Sequence, residues 1–242
     1  DFQAVGLPGP GELALLNPFK DILPESLYTH PFKLSQSNAD GNIRKQLRKA
    51  NKLLKAAGWE LKDQKLVHKK TGETFEFEII MRQAGIQRVT LPFIKNLEKL
   101  GITAIPRLID TAQYKVRLDQ FDFDMTIVSL SQGHAPSYEQ RDYFHSSTSM
   151  QEGSQNYAGI NHPVIDALID TVLSAKNRPE LVTAMKALDR VLLWEHYTIP
   201  NWHLNYHRLA FWNKFERPKN KITQSSLTPY KLGVENWWTA QQ

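Results

Sequence analysis

The sequence predicts an α/β fold, a largely parallel sheet flanked by helices, on three observations. Between residues 74 and 130, runs of strand type alternate with runs of helical period, in the order strand, helix, strand, helix, strand. The last of these runs, FDFDMTIVSL, opens directly into the polar stretch SQGHAPSYEQRDYF. Open α/β sheets present ligands at such a strand-to-loop exit; an ordinary surface loop is the plainer alternative. Two further helical stretches, near 161–175 and 177–194, each carry one apolar face and should pack as an antiparallel pair.

The elements follow in chain order. Residues 1–42 have little periodicity and are punctuated by Gly6, Pro8, Gly9, Pro10, Pro18, Pro24 and Pro31. One helical turn near 12–16 is expected. The rest should wrap over a larger body through Phe2, Leu15, Leu16, Phe19, Leu27 and Phe32. Ile43, Leu47, Ala50, Leu54 and Ala57 give a helix over 43–57, with Lys and Arg opposite and Gly58 at its C-cap. Strands are predicted at 65–68 and 74–81, joined by a turn at 70–73. A helix follows at 87–100, with Pro92 either interrupting it or marking its first turn.

Residues 102–109 read as a strand. Asp110 or Thr111 caps a short helix to about 118, and the strand 122–130 follows. Residues 145–161 are polar. Asn161 or His162 should start the next helix, with Pro163 in its first turn, and Asn177-Arg178-Pro179 the one after. Strands are expected near 198–204 and 208–212, then an extended tail ending at Trp237 and Trp238.

Composition narrows the function. A chain of 242 residues with 41% apolar content can build one large or two smaller cores. The absence of cysteine excludes disulfides, thiolate catalysis and Cys-ligated zinc or iron–sulfur centres. No apolar run approaches the ~20 residues that span a bilayer. The opening DFQAVGLPGPGE has no basic leader, so a processed or excised chain is expected. The excess of 30 basic over 25 acidic residues is mild and scattered, and 44–55 reads as one face of a helix.

Each group of chemistry-bearing residues has a plainer reading beside the functional one. Asp122 and Asp124 share one strand face, but at the end away from the sheet's active edge, so solvated residues are favoured over an acid/base pair. His196, His203 and His207 have no metal-ligand spacing. Ser129, Ser131, Ser146 and Ser147 accompany His134 without a Gly-x-Ser-x-Gly elbow. Neither a phosphate-binding loop nor a dinucleotide fingerprint is present. Nucleic-acid binding is disfavoured, because the aromatics alternate as core residues do. Arg141 has two readings: it pairs a ligand carboxylate, or it pins the loop through Glu139 or Asp142.

Read together, RKQLRKANKLLKAAGW, FIKNLEKLGI, YKVRLDQFDFDM, GINHPVIDALID, ALDRVLLWEHYTIP and ENWW resemble the extracellular solute-binding proteins of peptide and nickel ABC importers, family 5, nearest its YejA-type oligopeptide-binding branch. PGPGELALLNPF, SYEQRDYF and GSQNYAGI add to the likeness, which covers the whole chain. It implies the second lobe of a bilobal periplasmic-binding-protein fold, with a mixed sheet, and the C-terminal portion of a longer protein. Residues 1–42 would be a lead-in and hinge, 43–204 the ligand-binding lobe, and 205–242 strands returning to the first lobe.

The resemblance further implies a periplasmic, monomeric binding protein, not an enzyme. It would need no cofactor, metal or nucleic acid, and would deliver an oligopeptide to permease subunits and their ATPase. A murein peptide, a peptide–nucleotide conjugate or a nickel chelate is the alternative cargo; an enzyme or nucleic-acid module is the alternative class. The resemblance implies an anchor seen in many family members, an aspartate that receives the peptide amino group, preceded by a tryptophan. Gln132 stands at the aspartate's place and Ser129 near the tryptophan's. A neutral amide offers no charge to an ammonium, which leaves Glu139 or another carboxylate as the substitute. The implied ligand-binding set is Ser129, Ser131, Gln132, Gly133, His134, Tyr138, Glu139 and Arg141, with Trp202 or His203 flanking the ligand backbone.

Overall fold

The computed structural model describes residues 1–37, 40–132, 135–202, 210–216 and 238–239. Its lead-in is organised by charge as well as by apolar contact. Helix α1 (Pro10–Leu16) has proline at its first position, where no amide hydrogen is needed. Glu12 reaches back to accept from the Gly9 amide at 3.0 Å. The same carboxylate accepts from Arg190 Nε at 2.9 Å, and Arg190 Nη1 donates to the Gly6 carbonyl at 2.8 Å. The Ala4 amide donates to Asp189 at 2.8 Å. Burial pushes the Asp189 carboxyl up, opposed by that amide and by Arg190. Gly11 lets α1 approach its neighbour closely, since a Cβ there would lie 2.9 Å from the Thr183 methyl.

That neighbour is one of the predicted helical pair. Helix α7 (Pro163–Ser174) is capped by the His162 side chain, and α8 (Arg178–Trp194) by Asn177, which accepts from Glu180 N. Ile165, Leu168, Ile169, Leu188 and Val191 meet Leu16, Leu23 and Leu27 of the lead-in in the largest core. Each such side chain contributes about 1.5–3 kcal/mol relative to exposure. Helix α2 (Ser26–Thr29) supplies Leu27, and Phe32 packs edge-on against Trp194 at 5.5 Å. All six predicted docking residues therefore lie on or beside this helical body.

Helix α3 (Arg44–Ala56) ends where Gly58 predicts, yet none of its side chains is fully buried. Strand β1 (Trp59–Lys62) is unforeseen. It pairs antiparallel with β2 (Lys65–His68) through a turn in which Asp63 and Gln64 both take positive φ. The predicted hairpin between 65–68 and 74–81 shrinks to one bridge, Val67 to Thr74. Trp59 stacks on Phe75 at 4.7 Å. This small sheet docks through Leu66 N, which donates to Gly101 O at 2.7 Å. Gly101 has φ +81°, and a Cβ there would fall 2.8 Å from Leu66 N.

The main sheet has the order β4-β3-β5, all parallel, with β3 (Glu76–Met81) central, β4 (Thr103–Leu108) and β5 (Met125–Thr126). Alternation along β3 serves two layers. Ile79 and Met81 pack with α4 (Gln87–Glu98), while Ile80 packs with Tyr114 and Leu118 of α5 (Thr111–Asp119). Asp110 caps α5 as predicted, accepting from Ala112 N and Gln113 N at 3.0 Å. Pro92 lies inside α4, not in its first turn, because a 3-10 turn at Ala84–Ile86 runs straight into the helix.

The predicted strand 122–130 contracts to β5, whose ladder touches β3 only at Ile79 and Ile80. A strand can extend only as far as its partner, and β3 stops at Met81. Side chains take over the missing ladder positions. Asp124 Oδ2 accepts the Glu78 amide at 2.8 Å, and Thr126 Oγ1 donates to Ile80 O at 3.2 Å. Arg117 joins Glu78 at 2.7 Å and Asp122 at 2.9 Å, and Arg107 also pairs Glu78. The two carboxylates read from sequence as a solvated pair thus fix the start of β5.

The expected strands near 198–204 and 208–212 are absent among the described residues there, and 203–209 lie outside them. The described strands of this region are β6 (Phe215–Glu216) and β7 (Trp238–Thr239), paired antiparallel. Most of the expected returning segment, 205–242, also lies outside the described residues.

Two predictions follow from these charges. Arg190→Met strands Glu12 in the core and should lower stability by about 3–5 kcal/mol in urea unfolding, whereas Glu12→Met with Arg190→Met should recover much of the loss. Hydrogen bonds from Arg117, then Arg107, hold the Glu78 carboxyl below its ordinary range. A lowered pKa stabilises above the unfolded value of about 4.3 and loses that contribution as pH falls through the folded one. Glu78→Gln should therefore flatten the acid limb of stability below about pH 4.3, as measured by unfolding across pH.

Candidate ligand-binding surface

Beyond β5 the chain continues over 127–132 without a ladder partner, and Ser129, Ser131 and Gln132 are exposed. Helix α6 (Glu139–Phe144) then forms inside the stretch expected to be loop. Gln140 and Tyr143 bury their side chains, one helical turn apart. Gln140 Nε2 donates to Gln132 Oε1 at 2.7 Å, and Tyr143 OH donates to the Ser131 carbonyl at 2.9 Å. Burial, then Glu139 and Asp142, push the Tyr143 phenol up, so it stays a neutral donor.

Sequence reasoning missed both anchors, because the polar residues around them obscured the helical spacing. The polar stretch after α6 has its own anchor. The wholly buried Asn156 donates to His145 O and Ile160 O and accepts from Ile160 N. Both of its amide hydrogens and one acceptor position are used within the loop.

The expected site residues separate into groups. Ser131 and Gln132 join α6 through the bonds above. Ser129 lies two residues upstream on the same ladder-free segment. Glu139 accepts from Ser137 N at 3.0 Å, and Tyr138 is 72% exposed. Arg141 is pinned neither by Glu139 nor by Asp142; its nearest carboxylate is Asp170 of α7, at 3.4 Å. Asp142 instead accepts from Gln155 at 3.0 Å. Gln132 Oε1 accepts from Gln140, which leaves the Gln132 amide hydrogens to donate and no negative charge to offer an ammonium.

Trp202 lies elsewhere. It borders an open cleft of about 1040 Å3 with Phe32, Gln46, Lys49, Asp189 and Leu193, and no residue of the 127–145 stretch lines that cleft. Gly133, His134 and His203 lie outside the described residues. Among the described residues, no group of three or more His, Asp or Glu could hold a metal ion. No helix among them is long and apolar enough to cross a membrane.

Comparison with known proteins gives this geometry a context. The chain is 41% identical over 99% of its length to the uncharacterized protein y4wM of Sinorhizobium fredii. It is 38% identical over its whole length to the probable peptide-binding protein YejA of Agrobacterium fabrum. The chain spans 35% and 38% of these relatives' own lengths. Among solved structures it resembles the oligopeptide-binding protein AppA of Bacillus subtilis, determined with a nonapeptide. The TM-score is 0.60 at 19% identity, over 96% of this chain and 45% of AppA. That likeness gives the fold, an α/β portion of the bilobal periplasmic binding proteins. Residues 20–152 match the family described as bacterial extracellular solute-binding proteins, family 5 Middle. The chain belongs to the extracellular solute-binding proteins of family 5.

Proposed function

We propose that the chain forms part of the substrate-binding component of an ABC importer. It captures oligopeptides in the periplasm and passes them to transmembrane permease subunits driven by a cytoplasmic ATPase. The observation that carries this reading is the ladder-free stretch 127–132 at the exit of β5, in a family whose relatives include a protein named for peptide binding. An extended peptide offers backbone donors and acceptors whatever its sequence, so pairing along such an edge supplies affinity without side-chain selection.

In this reading Ser129 and Ser131 border the peptide backbone. Gln132 donates to a peptide carbonyl, Gly133 and His134 complete the proposed contact set, and Tyr138 covers the peptide. Glu139 supplies the negative charge for the ammonium that Gln132 lacks. Arg141, only loosely held by Asp170, exchanges that partner for a ligand carboxylate. Trp202 flanks the peptide from the separate cleft that it borders, with His203 next to it in sequence. The binding protein acts as a monomer, and a ligand bridging two lobes closes it.

The test is native mass spectrometry of the intact protein as purified from the periplasm. A ladder of bound peptides is expected, and mixed tri- to nonapeptides should raise the melting temperature of the stripped protein. Glu139→Gln should weaken peptides with a free amino terminus more than acetylated ones, by about tenfold. An intact protein that comes up empty and is unmoved by peptides, but shifts with murein fragments or nickel chelates, would replace the cargo named here.

A further inference from the structure

Helix α3 breaks two local rules at once. It carries Arg44, Lys45, Arg48, Lys49, Lys52 and Lys55, all exposed, and no acidic residue. At about 100° per residue these six cations fall within an arc of roughly 140°, opposite the half-buried Leu47, Ala50 and Leu54. Like charges therefore sit at i,i+4 (Arg44 and Arg48, Lys45 and Lys49, Arg48 and Lys52) and at i,i+3 (Lys45 and Arg48, Lys49 and Lys52, Lys52 and Lys55), spacings that disfavour a helix. Arg44 and Lys45 also occupy the first turn, where the helix dipole disfavours cations; the Asn42 side chain accepts the Arg44 amide there at 3.2 Å.

Several charged groups elsewhere in the chain are neutralised internally. Arg107 and Arg117 pair Glu78, Lys115 pairs Asp119, and Arg141 faces Asp170. None of the six α3 cations forms an ion pair among the described residues. Local rules broken without an internal gain are expected where a surface serves an external partner.

We infer that the cationic arc of α3 is a docking surface for the anionic headgroups of a phospholipid membrane. The helix is about 20 Å long, and its cations are carried on flexible stems along one exposed arc, with Lys45 and Lys49 at the rim of the cleft beside Trp202. Such a stripe matches a broad, laterally mobile field of phosphates better than one acidic segment of fixed geometry. Each Lys or Arg brought near an anionic surface strengthens adsorption by roughly fivefold, within a Debye length of about 8 Å at physiological salt. Held there, a binding protein would search for a membrane partner in two dimensions. That consequence rests on the importer reading; the adsorption itself does not.

The experiment is flotation of the intact protein with vesicles of phosphatidylcholine alone or with 30% phosphatidylglycerol, at low and physiological salt. Binding is expected only to the anionic vesicles and should weaken with salt. Replacing Arg48, Lys52 and Lys55 together by Gln should weaken it about a hundredfold. The same variant should be as stable as the parent or more so, since it removes like-charge contacts. A control replacing Lys20, Lys95 and Lys176 by Gln, with the same net charge, should retain binding. Equal binding to both vesicle types, no binding to either, or equal loss in the two variants would overturn the inference. Peptide-induced shifts in melting temperature, read on the same samples, distinguish failure of this inference from failure of the importer reading.

Discussion

The contact on which the rest of the arrangement depends is the ion pair between Glu12 and Arg190. Arg190 is 1% exposed, and its partner is nearly as enclosed. Two charges taken that far from water are favourable only when almost every polar position is met. Here the Gly9 amide, the Gly6 carbonyl and the two side chains meet most of them. The pair joins residues far apart in the chain, so it selects one register of the lead-in against α8. Leu16, Leu23 and Leu27 then bury themselves against a helical pair already fixed in place. Apolar contact supplies most of the stabilisation, while the charges specify where it forms.

What could be read in the sequence was local, and what could not be read was set at a distance. Helices α7 and α8 announce themselves through His162 and Asn177, a following proline and an apolar period. The alternation of β3 was equally plain, because its two faces are buried under different helices. The length of β5 was not legible. Its sequence suits a nine-residue strand, but a ladder needs a neighbour, and β3 ends too soon. Strand β1 was hidden because Asp63-Gln64 is an unusual pair for a turn of two positive φ angles.

The candidate surface shows the same division. A polar stretch after a strand was visible as a place for ligands. Helix α6 within it was not, because its anchoring residues, Gln140 and Tyr143, are themselves polar or amphipathic. Arg141 could be recognised as a group in need of an anion, but its Asp170 neighbour comes from another helix. The orientation of the Gln132 amide is set by the buried Gln140, and no local pattern contains that information.

The junction of β5 with β3 has a kinetic meaning. Two ladder pairs and two side-chain stand-ins, Asp124 and Thr126, hold that strand, whereas β4 pairs with β3 along its full length. Opening the β5 side therefore disrupts far less than opening the sheet, and it defines a small cooperative unit below the global transition. Such a unit can part and re-form many times while the helical body stays intact. A molecule lying along it would register first as slowed amide exchange over 125–132, before any change in the overall fold.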